Sequence, residues 1–208
     1  MKIPPFIEKD FTVFNIAGLE ARMEAIRQNI QPKFGVLGDR IAPFLAALVG
    51  EPVYVHIAKH ARRTVNPPEE TWVAWSTGRR GYKALPHFQL GIRDTHLFMW
   101  FALIYECDRK PAFARNFKEQ FAEIWPAIPD SFYFSKDHTV PDVIQKRELS
   151  EEDALKMLDR LENVKKAEFL CGTVLPREQA VQKTGEEMVK ILESTFETLQ
   201  PLYKLSIS

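Results

Sequence analysis

Residues 51–106 read EPVYVHIAKHARRTVNPPEETWVAWSTGRRGYKALPHFQLGIRDTHLFMWFALIYE, and the punctuation of this stretch decides the fold. Four runs rich in β-branched and aromatic residues are separated by loops that carry most of its basic residues. In the first run, 53–59, Val53, Val55 and Ile57 alternate with Tyr54, His56 and Ala58. The second, 71–77, is a Trp/Val/Ala/Trp run. In the third, 87–93, Phe88, Leu90 and Ile92 point one way and His87, Gln89, Gly91 and Arg93 the other. Asp94-Thr95 forms a tight turn into the fourth, 96–106, which is apolar on both faces from Leu97 onward. Such a strand belongs at the centre of a doubly covered sheet or at a partner interface. The connections are too short for helical crossovers, so antiparallel pairing is expected.

Helical periodicity flanks this block. Asp10 suits the cap of a short first turn, and Leu19, Met23, Ile26 and Ile30 share one face of a helix after Gly18. Pro32 opens a second helix that Gly50 closes, and Pro43 predicts a kink or break within it. A third helix carries Phe113, Phe117, Phe121 and Ile124 and stops at Pro126. Strands follow near 131–135 and 166–175, with an irregular stretch from Ser135 to Leu149. Ser150 with Asp153 and Thr184 with Glu187 are capping boxes that start two further helices. The pattern is α+β: one domain over 1–208, with a mostly antiparallel central sheet packed by N-terminal, middle and C-terminal helices.

Composition removes several function classes. Lys and Arg number 28 against 28 Asp and Glu, so no global field steers the chain toward nucleic acid or an anionic membrane. The longest uncharged apolar run, 95–105, is about half of the ~20 residues a spanning helix needs. The first ten residues hold no apolar signal core, and the two cysteines, Cys107 and Cys171, stand far apart. A cytoplasmic protein is expected.

Four motifs carry a family resemblance: AKHARRTVNPP (58–68), RGYKALPHFQ (80–89), PDSFYFSKDHT (129–139) and VKKAEFLCG (164–172). Together with GLEARME (18–24), they make the chain similar to the YktB-like family of uncharacterised proteins from low-GC Gram-positive bacteria. The likeness runs from about Phe6 to Tyr203 and implies a single α+β domain with a mostly antiparallel sheet. It also implies a topology similar to the catalytic domain of biotin–protein ligases. It brings no assigned reaction, and a shared fold supplies none.

The strongest local chemical signal is a charge bias. Between His56 and His87 stand six cationic side chains and only two carboxylates, Glu69 and Glu70. Two loops, 59–68 and 78–87, hold the pairs Arg62-Arg63 and Arg79-Arg80, whose guanidinium forks suit a phosphate or carboxylate. The expected ligand-binding set is Lys59, His60, Arg62, Arg63, Arg79, Arg80, Lys83 and His87, converging on one concavity around a small anionic ligand. The plain alternative is a pair of solvated loops whose arginines lie over aromatic side chains. His87 could serve in acid–base work, although bonding of a strand end explains it as well. His138, beside Asp137, could join a site from the irregular stretch or lie on a surface loop.

No metal site is expected, because His56 and His60 fall on a strand and its exit rather than on one helix face. No Walker loop, GxGxxG, GxSxG or HExxH is present, so no cofactor and no catalytic residue is assigned. Two other function classes compete with the anion reading. One is protein interaction or homodimerisation through the doubly apolar strand 97–105. The other is nucleic-acid binding, ranked last because the basic run is short.

Overall fold

The computed structural model describes residues 2–208. Its centre is a seven-stranded sheet of β1 (Tyr54–Ile57), β2 (Glu70–Ser76), β3 (His87–Arg93), β4 (His96–Leu103), β5 (Tyr133–Ser135), β6 (Ile144–Gln145) and β7 (Phe169–Pro176). The spatial order is β1-β2-β3-β4-β7-β5-β6, and every neighbouring pair is antiparallel. The α+β reading therefore holds, with β4 fourth of seven, as a strand apolar on both faces requires. Because β3 and β7 occupy both its edges, β4 is enclosed and presents no edge to a partner.

Nine α-helices are present among the described residues: α1 (Glu8–Thr12), α2 (Leu19–Asn29), α3 (Gln31–Val49), α4 (Lys110–Glu119), α5 (Phe121–Ala127), α6 (Glu151–Asn163), α7 (Arg177–Ala180), α8 (Gly185–Thr198) and α9 (Gln200–Ile207). Both capping boxes form: Ser150 accepts from the Asp153 N–H, and Thr184 from the Glu187 N–H. Gly50 closes α3 in the left-handed region at φ 80°. Four expectations change. The expected third helix is two, α4 and α5, divided at Gln120, and the second runs through Pro126 to Ala127. Helix α3 runs unbroken through Pro43. Asp10 lies inside α1, where its carboxylate accepts from the Ile7 N–H and pairs with Lys33 at 2.5 Å. The stretch expected to be irregular contains β6, a two-residue strand too short to leave a periodic signal.

The helices pack on one face of the sheet. There Trp75, Phe88, Phe101 and Phe169 meet Phe196, Tyr203 and Phe113, with ring centroids 4.9–6.3 Å apart. The opposite face carries a smaller cluster of Phe98, Trp100, Ala102, Ile104 and Leu170, to which no helical residue belongs. Loops roof this face instead. Their cover is why the alternating strand β3 is buried along its whole length, polar side included. No described helix is long and apolar enough to cross a membrane.

Candidate functional site

Strand alternation puts Glu70, Trp72, Gln89, Arg93, Phe98, Trp100 and Leu170 on the loop-covered face. A narrow crevice runs between these side chains and the 137–143 loop. It adjoins a cleft of about 790 Å³ bounded by the 58–70 loop, Tyr82, Lys83 and His138. Glu70, Trp72, Arg93 and His138 line both.

Of the eight ligand-binding candidates, this cleft gathers Lys59, His60, Arg62, Arg63 and Lys83. Arg80 lines a neighbouring recess beside Tyr82, and Arg79 is exposed outside both, so the two arginine pairs do not converge. The reason lies in the 77–86 loop: Trp72 Nε1 donates to the Tyr82 hydroxyl at 2.7 Å, and the Tyr82 ring packs edge-on against His87 at 4.9 Å. That anchor turns the tip residues Arg79 and Arg80 away from the cleft. His87 is fully buried beneath it. Its Nδ1–H donates to the Leu85 carbonyl at 2.8 Å and its Nε2 accepts from the Gln89 amide at 2.9 Å. Burial lowers its pKa to about 4, so at neutral pH it is an uncharged hydrogen-bonding residue.

His60 is also neutral. Burial, reinforced by nearby Arg63, lowers its pKa to about 4, and it bonds Thr71 Oγ1 at 3.1 Å. It stands at φ 51°, the one non-glycine residue in the left-handed region among those described. This conformation turns the chain out of β1 and projects Arg62 and Arg63 over the cleft.

The cleft is electropositive. Arg22, Lys59, Arg62, Arg63, Lys83 and Arg93 line it against Glu69, Glu70 and Glu106. Arg93 pairs with Glu70 at 2.5 Å, and Lys83 stands 3.8 Å from Glu106. Arg22 donates to the Ile16 and Pro68 carbonyls, which ties α2 to the cleft rim. Lys59, Arg62 and Arg63 have no carboxylate within 4.0 Å among the described residues. One oxygen of Glu106, Oε2, is buried without a hydrogen-bond partner.

His138 reaches the site from the irregular loop. Its Nδ1 lies 2.9 Å from both carboxylate oxygens of Glu168, and its backbone N–H donates to the same group at 2.7 Å. Glu168 also accepts the Tyr105 N–H, and the Tyr105 ring stacks on the imidazole at 6.3 Å. Burial lowers the His138 pKa, but the hydrogen bond and charge of Glu168 outweigh it, and the net direction is upward. With Asp137, these residues are the described group of nitrogen and oxygen donors close enough to share a cation. The sequence reading did not reach Glu70, Arg93 or Glu168 as site residues. A usable signal existed for Arg93, because a charged residue that alternates with His87 and Gln89 on one strand face needs a partner there.

The molecule is thus an α+β protein with a basic, loop-roofed cleft on the helix-free face of an antiparallel sheet. Residues 6–203 match the family described as a domain of unknown function, DUF1054, and the chain belongs to that family. It is 46% identical over 201 residues to a UPF0637 protein of Bacillus licheniformis, covering 97% of this chain and 95% of the relative. A UPF0637 protein of Bacillus cereus is 47% identical over 205 residues, covering 99% of each chain. One from Bacillus velezensis is 42% identical over 201 residues, covering 97% of this chain and 96% of the relative.

Proposed function

We propose that the cleft binds a small anionic ligand that bears a phosphate or carboxylate group. Lys59, Arg62, Arg63 and Lys83 would contact the anion, with Trp72 as an apolar floor. The observation that carries this reading is the group of three cations, Lys59, Arg62 and Arg63, gathered on one cleft without a carboxylate partner. A concave site in which guanidinium groups are left free of protein carboxylates offers paired donors to an incoming anion. The cations surround a recess rather than an extended stripe, which favours a small ligand over a nucleic-acid backbone. Arg80, in the neighbouring recess, is outside the contact set, and His87 supports the cleft wall from beneath. We take the setting to be cytoplasmic, since both cysteines are buried free thiols.

The test is native mass spectrometry of gently purified protein, followed by calorimetric titration with inorganic phosphate and a nucleoside monophosphate. Saturable one-to-one binding that falls at least about tenfold in Arg62→Ala/Arg63→Ala supports the reading. Absence of binding, or equal binding by that variant, ends it.

A further inference from the structure

We infer that Asp137, His138 and Glu168 form a binding site for one divalent cation. The three residues come from different parts of the chain. Asp137 and His138 sit on the loop after β5, and Glu168 immediately precedes β7. Each contributes a donor atom, and the three atoms lie within 4.8 Å of one another.

The distances fit a metal. Two ligands bound at about 2.1 Å and a right angle stand about 3.0 Å apart. His138 Nδ1 lies 2.9 Å from each Glu168 oxygen. On cation binding, the Nδ1 proton leaves to solvent and the metal takes its place between nitrogen and carboxylate. Asp137 is already oriented: Thr139 donates both its N–H, at 2.8 Å, and its hydroxyl, at 2.7 Å, to Oδ1. A carboxylate held in this way supplies the third donor atom of the group.

A second observation concerns charge. Glu168 is 6% exposed, yet no Lys or Arg lies within 4.0 Å of it among the described residues. A buried carboxylate needs a positive partner, and the imidazole is the one in direct contact, since the nearby Lys110 ammonium is spent on the carbonyls of Tyr105, Lys165 and Ala167. Lys136, Arg160 and Lys166 line the same solvent-open recess of about 660 Å³ without pairing with Asp137 or Glu168. The open recess lets a cation enter and keep part of its water shell. One imidazole with two carboxylates suits Mn²⁺, Fe²⁺ or Zn²⁺ better than an all-oxygen ion such as Ca²⁺.

None of the three ligands is in the proposed anion-contact set, although His138 also borders that cleft, so failure of the anion reading does not remove the cation site. The experiment is titration of chelator-treated full-length protein with Mn²⁺, followed by the electron paramagnetic resonance signal of free ion, with Zn²⁺ calorimetry alongside. We expect one ion per chain. His138→Ala and Glu168→Gln should each weaken binding at least about tenfold, and Arg62→Ala/Arg63→Ala, which removes only positive charge, should not weaken it. Circular dichroism identifies any variant that fails to fold. Should Glu168→Gln be one, the loop variants His138→Ala and Asp137→Asn decide. No stoichiometric binding by the wild type, or undiminished binding by His138→Ala, overturns the inference.

Discussion

Glu70 and Arg93 face each other across the β2–β3 register, and their side chains meet at 2.5 Å with 10% and 7% exposure. Burial drives the Glu70 carboxyl upward, while Arg93 and more distant His138 and Arg63 draw it down. Each partner is the reason the other can be buried. Arg93→Met should therefore cost about 3–5 kcal/mol, because it strands a carboxylate inside the loop-covered face. Glu70→Met/Arg93→Met should recover most of that loss, since a well-packed apolar pair is often no worse than a buried ion pair. Urea unfolding of the three proteins checks this. Equal stability of the single and double variants would show that the charges are not coupled.

Two glycines on this face make a contrasting pair. A Cβ added at Gly91 would run into the Phe98 ring, whereas one at Gly172 would meet the Met99 carbonyl oxygen. A ring can swing and a paired backbone cannot. Gly91→Ala should cost about 1–3 kcal/mol and Gly172→Ala at least about 3 kcal/mol. Denaturant midpoints at matched slopes give the ranking, and the reverse order would refute the explanation.

His87 makes stability depend on pH. Its pKa of about 4 in the folded protein lies below the ordinary 6.5, so between those values the unfolded chain holds a proton that the native chain does not. The contribution is complete above pH 6.5 and is lost as pH falls toward 4, by on the order of 3 kcal/mol. His87→Gln cannot titrate and should show a flatter profile over that window. A slope identical to that of wild type would assign the effect to other groups.

How far the sequence carried depended on whether a signal was local. The double-sided apolarity of 97–105 located the central strand, and the spacings Ser150–Asp153 and Thr184–Glu187 located two helix starts, because capping is complete within four residues. The charge bias found Lys59, Arg62, Arg63 and Lys83 on one cleft. It could not separate them from Arg79 and Arg80, whose direction is set by the Trp72–Tyr82 bond, ten positions apart and reaching from β2 to the loop. His138 and Glu168 lie 30 residues apart and meet only because β7 returns beside β4 and β5. No spacing in the chain encodes that meeting.

Lys110 offers a last case in which local chemistry and tertiary structure disagree usefully. A cation in the first turn of α4 opposes the helix dipole, which favours carboxylates there. Its exposure is nonetheless 3%, and its ammonium donates to the carbonyls of Tyr105, Lys165 and Ala167 at 3.0, 2.7 and 2.7 Å. The three donors of a lysine are thus all used, and they bind the exit of β4 to the approach to β7, next to Glu168. Lys110→Met would leave three carbonyl groups without that partner and should cost on the order of 3 kcal/mol. Amide exchange should rise first around Lys165–Glu168, where two of the carbonyls lie. A loss below about 1 kcal/mol, with unchanged exchange there, would mean that water replaces the ammonium and that the dipole penalty had offset most of its benefit.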